Sequence, residues 1–203
     1  MNEQNEGAPT PSSATPPKRG DSFKDIARFT FFALLIIVPF RMFVAQPYVV
    51  SGASMDPTFK DGDYLIVDQL TPRFEELSRG EVLIFKYPLD PSRSFIKRVI
   101  GLPGETLDIQ SGVVHIKNSM HPEGLTLAEP YVVHGQESTL TVTLTSDEYF
   151  VMGDNRAGSL DSRIWGALNK KFIIGHPIIR LLPLPKIGLL PGNYDIYETQ
   201  EKK

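Results

Sequence analysis

The chain has 203 residues, enough for one folded domain together with a tail and a membrane anchor. A formal net charge of −3 argues against a nucleic-acid partner, and the absence of cysteine excludes disulfides, thiolate catalysis and cysteine-ligated zinc. Its 17 prolines and 16 glycines favour a loop-rich β protein over a helical bundle.

The first segment of the chain, residues 1–24, is predicted to be a disordered tail. Residues 1–21 are rich in Pro, Ser, Gly, Glu, Gln and Asn and carry no apolar periodicity. Such a composition cannot bury enough apolar surface to offset the entropy lost when a chain becomes ordered.

An apolar segment follows at 26–45, and its apolar character is interrupted by Arg28, Thr30 and Arg41. At a rise of about 1.5 Å per residue, a helix of this length crosses a hydrocarbon core of about 30 Å. The pattern predicts a transmembrane helix over residues 25–45. A buried soluble helix and a cleaved signal peptide are the alternatives. The signal peptide fits less well because Phe43 stands where a small residue is expected before cleavage at Ala45.

Basic residues set the predicted orientation of this helix. Four of them precede the span, namely Lys18, Arg19, Lys24 and Arg28. Two follow it, Arg41 and Lys60. The positive-inside rule places the N-terminus in the cytoplasm and residues 46–203 outside. We therefore expect a single-pass protein of the plasma (inner) membrane, in contact with lipid, with an extracytoplasmic or periplasmic domain.

From residue 48 onward, short runs rich in Val, Ile, Phe and Tyr alternate with turn signals. These runs lie at 64–67, 81–85, 95–100, 113–116, 140–144 and 149–152. The pattern predicts a mainly antiparallel β domain over 46–203. Residues 104–147 are more polar, which predicts an insertion or a small subdomain there.

Ser54 is the first candidate for chemistry. It follows Gly52, which permits close backbone approach, and it precedes Pro57, which stiffens the loop. It also lies nine residues after the apolar segment, so its hydroxyl is expected near the membrane. A serine hydroxyl needs a neighbouring base to act as a nucleophile. A solvated or capping serine is the alternative interpretation.

Lys97 is the candidate base because it lies within the apolar run 95–100. Successive strand residues point to opposite faces, so either Lys97 or Arg98 must face bulky apolar neighbours. The alternation does not choose between them, but arginine stays protonated and cannot act as the base. Burial would lower the pKa of Lys97 from about 10.4 toward the ~7 to 8 that suits a base. A solvent-facing strand lysine is the alternative.

The segment GDNRAGSLDSR at 153–163 is dense in small and hydrogen-bonding residues. It is either a solvated β-loop held by Asp–Arg pairs, or a loop whose polar groups orient the base and brace the site. The candidate residues on this loop are Asp154, Arg156, Ser159, Asp161 and Arg163.

Four blocks, in this order, resemble type I signal peptidase, the membrane-anchored serine protease of the Ser-Lys type. They are SMDPT at 54–58, RGEVLIF at 79–85, IKRVIGLPGE at 96–105, and GDNR at 153–156 with Ser159, Asp161, Ser162 and Arg163. The resemblance covers roughly residues 26–190. It implies a signal-peptidase- or LexA-like coiled antiparallel β-sheet domain on one N-terminal transmembrane helix.

The resemblance also implies roles for single residues. Ser54 would attack the scissile carbonyl and form an acyl-enzyme, and neutral Lys97 would take its proton and later activate water. Ser159 would hydrogen-bond and orient the Lys97 amine, while Asp161 and Arg163 would brace the loop as a charge pair. The Ser54 N–H would help to form the oxyanion hole. Gly52 stands where some family members have an assisting serine, so a second oxyanion donor is left open.

The substrates that the resemblance implies are signal peptides of translocated preproteins, with small residues one and three positions before the cleaved bond. The secretion translocon would be a functional partner, and no cofactor is expected. An extended peptide can add as a strand to a sheet edge, and residues 48–50 are a candidate wall of that cleft. Neither a metal site nor a histidine base is expected from the spacing of His115, His121, His134 and His176.

Two other functions remain as alternatives. A Ser-Lys autoprotease of the LexA type shares this β fold but would need a partner domain such as a helix-turn-helix. A membrane-anchored β module that binds extracytoplasmic partners without catalysis would not need both Ser54 and Lys97. The apolar run 178–190 is interpreted mainly as core, although part of it could dip into the bilayer, at Leu181, Leu182 and Leu184.

Overall fold

The computed structural model describes residues 19–43, 45–133 and 135–194. The chain divides into two compact units, Met1–Pro39 and Phe40–Lys203. Most of the predicted tail, up to position 18, lies outside the described residues.

The first described element is the helix α1 (Arg19–Phe43), which overlaps the predicted span and begins before it. Its apolar side chains are exposed: Phe29 and Ile36 keep 76% and 70% of their surface accessible. Within the described residues, no helix combines the length and the apolar character that crossing a membrane requires.

Antiparallel strands make up most of the regular secondary structure of the second unit. They are β1 (Ala45–Val49), β2 (Tyr64–Asp68), β3 (Val82–Tyr87), β4 (Asp90–Gly101), β5 (Thr106–Gln110), β6 (Val113–Lys117), β7 (Leu125–Thr126), β8 (Leu140–Thr143), β9 (Glu148–Met152), β10 (Leu168–Asn169), β11 (Ile173–Leu182) and β12 (Gly188–Leu189). A single-turn helix, α2 (Ser162–Trp165), lies between β9 and β10. The predicted mainly antiparallel β class is confirmed.

The larger sheet has eight strands in the order β1-β2-β11-β3-β4-β9-β10, with β12 paired to β11. β4 therefore lies between β3 and β9. Lys97 is opposite Leu83 of β3, and Arg98 is opposite both Val82 of β3 and Met152 of β9. The strand that contains the candidate base is therefore an interior strand of the sheet.

The sequence of β3 shows how both faces of this sheet are covered. β3 buries four consecutive residues, 82–85. Val82 and Ile84 enter one hydrophobic cluster, whereas Leu83 and Phe85 enter another. A strand that is covered on both faces is apolar at every position rather than at alternate ones.

The smaller sheet has four strands in the order β7-β6-β5-β8 and lies within the predicted insertion at 104–147. Its buried Leu107 and Ile109 share a hydrophobic cluster with Phe150 and Met152 of β9. The two sheets therefore meet in one core. The boundaries predicted for the insertion stay predictions.

Candidate active site

Ser54 lies in the loop between β1 and β2, which a main-chain hydrogen bond closes at its base: Val50 N donates to Asp63 O at 2.9 Å. Gly52 has a φ of +91°, a conformation that residues with a side chain rarely adopt. The Gly52 N–H donates to Asp61 Oδ1 at 2.8 Å. These contacts fix the backbone immediately before Ser54.

The residues after Ser54 anchor the same loop in the core. Met55 and Phe59 are buried, with 1% and 0% of their surface exposed, and Phe59 N donates to Met55 O at 2.8 Å. Ser54 itself is half-buried. Its hydroxyl is thus presented from a loop that is tied down on both sides.

The side chain of Lys97 reaches the Ser54 hydroxyl. Its Nζ lies 2.7 Å from Ser54 Oγ and donates to the Ile96 carbonyl at 2.8 Å. Lys97 is 3% exposed. Burial lowers its pKa to about 8, an effect that the carboxylates of Asp161 and Asp154 partly oppose. A neutral amine within hydrogen-bond distance of a hydroxyl is therefore accessible at mildly alkaline pH.

The neighbouring Arg98 is fully buried as well. The strand alternation left open which of the two basic residues faces the interior, and the structure buries both. Arg98 is compensated by Asp154, with Nε to Oδ1 at 2.8 Å and Nη2 to Oδ2 at 2.6 Å. It also donates to the carbonyl of Gly80 at 2.6 Å and stacks 4.0 Å from the centre of the Tyr131 ring. Among the described residues Lys97 forms no ion pair, so burial disfavours its charged form and lowers its pKa.

The loop that follows β9 docks directly on the Ser54 loop. The Asn155 N–H donates to Ser54 O, and Asn155 Nδ2 donates to Ala53 O, both at 3.1 Å. A Cβ on Gly153 would lie 2.4 Å from Ser54 O and 2.3 Å from Ser159 Oγ. The close approach of the two loops therefore requires glycine at position 153.

Ser159 is buried beside this contact. Among the described residues, the hydrogen bond to the Lys97 amine that the resemblance implies is not formed, and Lys97 Nζ contacts Ser54 Oγ and the Ile96 carbonyl instead. Ser159 Oγ is close enough to Asp161 to help lower the pKa of that carboxyl. It has no hydrogen-bond partner of good geometry among the described residues.

Asp161 and Arg163 form the charge pair that the resemblance implies. Arg163 Nε donates to Asp161 Oδ1 and Nη2 donates to Oδ2, each at 2.8 Å. Burial raises the pKa of Asp161, but the hydrogen bonds from Arg163 and from the Gly153 N–H outweigh it and lower the pKa overall. Arg163 Nη2 also donates to Arg156 O at 2.7 Å, so the pair ties both ends of the loop together.

Sequence reasoning missed two residues of this network. Glu129 accepts from Arg156 Nη1 at 3.0 Å, with both side chains largely buried. Thr58 Oγ1 donates to Asp154 Oδ2 at 2.5 Å. Thr58 belongs to the SMDPT block, so its place in that motif could have marked it as a candidate site residue. Glu129 lies in a polar stretch without a pattern that marks it.

A cleft of about 320 Å³ opens in front of Ser54 and Lys97. The candidate wall residues 48–50 line it, together with Leu65, Ile84, 93–96 and Leu160. Most of these side chains are apolar, so the cleft suits an extended peptide with small apolar side chains.

None of the described histidines, His115, His121 and His176, lines this cleft. His115 Nδ1 lies 2.9 Å from Thr126 Oγ1, and His176 lies 3.7 Å from Asp68 and 3.9 Å from Glu81. His134 lies outside the described residues. In the part of the chain that the structure describes, no three His, Asp or Glu side chains are grouped so that they could hold a metal ion.

Residues 23–182 match the family model described as signal peptidase, peptidase S26. The chain belongs to this family. A probable signal peptidase I-1 of Synechocystis sp. is 36% identical over 166 residues, which cover 78% of this chain and 82% of the relative. A signal peptidase I of Leptolyngbya laminosa is 32% identical over 196 residues, covering 92% and 94%. The predicted resemblance and the predicted enzyme class, a serine endopeptidase, are confirmed.

A signal peptidase I from Enterococcus faecalis V583, known from a crystal structure, is 28% identical and superposes with a TM-score of 0.42. The superposition covers 50% of this chain and 97% of that one. The family assignment depends on the sequence matches.

Proposed function

We propose that this chain is a signal peptidase I that removes N-terminal signal peptides from secreted and membrane preproteins, with Ser54 as nucleophile and Lys97 as general base. The observation that carries the proposal is the 2.7 Å separation of Lys97 Nζ and Ser54 Oγ. The lowered pKa of Lys97, about 8, supplies the neutral amine that the chemistry requires.

In the proposed acylation step, Ser54 Oγ attacks the scissile carbonyl carbon while its proton moves to Nζ of Lys97. The resulting ammonium gives that proton to the departing amine as the peptide bond breaks. An ester then joins the signal peptide to Ser54. In deacylation, Lys97 takes a proton from water, the hydroxide attacks the ester, and Ser54 regains its proton.

The Ser54 N–H is the proposed oxyanion donor. Among the described residues it donates to no main-chain carbonyl of the surrounding turns. The Gly52 N–H is engaged by Asp61, which removes it as a second donor.

The remaining candidate residues are proposed to hold the dyad in place. Asp154 compensates Arg98 beside Lys97, and Arg156 donates through Nε to Gly153 O at 3.1 Å. Asp161 and Arg163 brace the loop, whose Gly153 N–H donates to Asp161 Oδ2 at 3.0 Å. Ser159 is proposed to orient the Lys97 amine once that amine releases the Ser54 hydroxyl.

The proposed substrates are preproteins with small residues before the cleaved bond. The apolar lining of the cleft and its modest volume of about 320 Å³ support this choice. The secretion translocon is the proposed functional partner, because a signal peptide reaches this side of a membrane only by translocation.

The proposed topology is a single N-terminal span in the plasma (inner) membrane, a cytoplasmic N-terminus and a catalytic domain over 46–203 in the extracytoplasmic space. The apolar segment 26–45 and the excess of basic residues before it support this topology. The exposed apolar side chains of α1 also support it, because burying them in an apolar environment is more favourable than leaving them in water.

Cleavage of a purified preprotein with an Ala-x-Ala site tests the proposal. The full chain in detergent should cut at that site, whereas Ser54→Ala and Lys97→Met should not. Ser78→Ala and Lys117→Met, at positions away from the cleft, are matched controls and should cut normally. No cleavage by folded wild type would favour a binding module, and cleavage by the dyad variants would mean that the dyad is misassigned.

A further inference from the structure

A second cavity of about 470 Å³ lies apart from the cleft in front of Ser54. Residues 57–58, 130–131, 186, 188 and 191–194 line it, and Arg180 of β11 forms part of its wall. Two of the lining side chains are cations, Arg180 and Lys186, and no Asp or Glu among the described residues lines it. This space is called the basic cavity below.

Arg180 is a buried cation with incomplete compensation. It is 7% exposed, and its guanidinium stacks 4.5 Å from the centre of the Phe59 ring. Its Nη2 donates to Thr58 O at 2.7 Å. Its Nε lies 3.5 Å from Asp63 Oδ2 and forms no hydrogen bond with a described residue. A guanidinium carries five N–H donors, and among the described residues Arg180 forms a hydrogen bond through Nη2 alone, so it has donors left for a ligand in the basic cavity that it lines.

Lys186 faces the basic cavity from a different element. It ends the 3₁₀ turn Leu184–Lys186 and is exposed, so its ammonium can move toward a ligand. A rigid guanidinium and a mobile ammonium on separate elements match an anion with several oxygens better than they match a single carbonyl.

We infer that the basic cavity binds a phosphate group, either as the free anion or as the headgroup of an anionic phospholipid. The phosphate oxygens accept from Arg180 and Lys186, the two cations that line the basic cavity. The cavity is many times larger than the ~30 Å³ that one water occupies, so it has room for a substituted phosphate. Exposed apolar side chains adjoin it on the same segment, at Leu184, Ile187 and Leu189.

The inference is tested by titrating the ¹⁵N-labelled full chain, in detergent micelles, with inorganic phosphate at constant ionic strength. The signals to follow are the Gly188 and Gly192 amides and the Arg180 Nε. A saturable shift of these signals is expected. Lys186→Gln should weaken the affinity by up to about fivefold, the range of an exposed ion pair. Lys171→Gln, at an exposed lysine outside the basic cavity, should leave the affinity unchanged.

A parallel titration identifies the source of the phosphate. Micelles doped with an anionic phospholipid are compared with micelles doped with a zwitterionic one. Shifts of the same three signals with the anionic lipid indicate a headgroup site, and shifts with inorganic phosphate alone indicate a free anion. The inference is overturned if neither probe gives a saturable shift, or if both lysine variants weaken binding equally. Lys186→Gln should retain normal peptidase activity, so loss of the proposed function and loss of this site are distinguishable.

Discussion

Arg98 and Asp154 form a fully buried, two-point ion pair, with distances of 2.8 and 2.6 Å. Each residue is the chain neighbour of one that shapes the site. Lys97 precedes Arg98, and Asn155, which holds the Ser54 carbonyl, follows Asp154. The pair therefore fixes the distance between the strand that carries the base and the loop that carries the hydroxyl.

Replacing Asp154 with Asn should destabilise the protein strongly. The substitution leaves Arg98 buried without its counter-charge, which typically costs about 3–5 kcal/mol. Urea denaturation of the full chain in detergent measures this loss. Asp147→Asn is the matched control, because its pair with Lys170 is exposed to solvent and contributes little to stability. Similar losses for the two variants would contradict a structural role for the buried pair.

Peptidase activity should rise with pH through about 8. The active form of Lys97 is the neutral amine, and burial lowers its pKa to about 8, so the active fraction grows as the proton leaves. The measurement is kcat/KM against pH with a synthetic preprotein peptide. Lys97→Arg should be inactive at every pH because a guanidinium keeps its proton. A profile that is flat from acid to alkaline pH would contradict Lys97 as the base.

The same pKa predicts that Lys97 costs stability at neutral pH. The folded-state pKa of about 8 lies below 10.5, the ordinary pKa of a lysine. Between these values the unfolded chain binds a proton that the folded chain has lost, so stability rises with pH across this window. Below about 8 the folded chain carries the full cost of the buried charge, which is up to about 3 kcal/mol at about 1.4 kcal/mol per pKa unit.

Lys97→Met should therefore be more stable than wild type at neutral pH, by up to about 3 kcal/mol. The difference should shrink as the pH rises from about 8 toward 10.5. Urea denaturation at several pH values measures it. Ser54→Ala keeps the lysine and should retain the wild-type pH dependence. Equal stability of Lys97→Met and wild type at all pH values would contradict a buried Lys97 with a lowered pKa.

The sequence was sufficient to predict the β architecture and to select Ser54 and Lys97, whose side chains lie 2.7 Å apart in the structure. Their catalytic roles stay predictions. The hydrophobic runs are long enough to mark strands, and the four blocks are specific enough to place Ser54 and Lys97 together. It was not sufficient to say which of Lys97 and Arg98 faces the interior. Both do, since core clusters cover both faces of the adjacent β3 and Asp154, 56 positions away, compensates Arg98.

The partner of Arg156 could not be predicted for a related reason. Glu129 lies 27 positions before Arg156 in a polar segment. The contact depends on how the segment that follows β7 packs against the loop that follows β9. Neither residue belongs to a periodic pattern, so only the folded chain brings them together.

Gly153→Ala should abolish most of the activity while the dyad itself stays intact. An added Cβ would lie 2.4 Å from Ser54 O and 2.3 Å from Ser159 Oγ, so one of the two loops must shift. A displacement of about 1 Å in a catalytic group can cost about 100-fold in rate. The measurement is kcat/KM together with the pH profile.

Gly188→Ala is the matched control for this substitution. Its added Cβ would meet its nearest atom, the Lys186 carbonyl, at an ordinary 3.9 Å, so activity and stability should change little. For Gly153→Ala, kcat should fall well beyond what the loss of stability explains, because the Ser54 carbonyl is displaced directly. Wild-type kcat in a folded Gly153→Ala protein would show that the tight approach of the two loops is dispensable for the reaction.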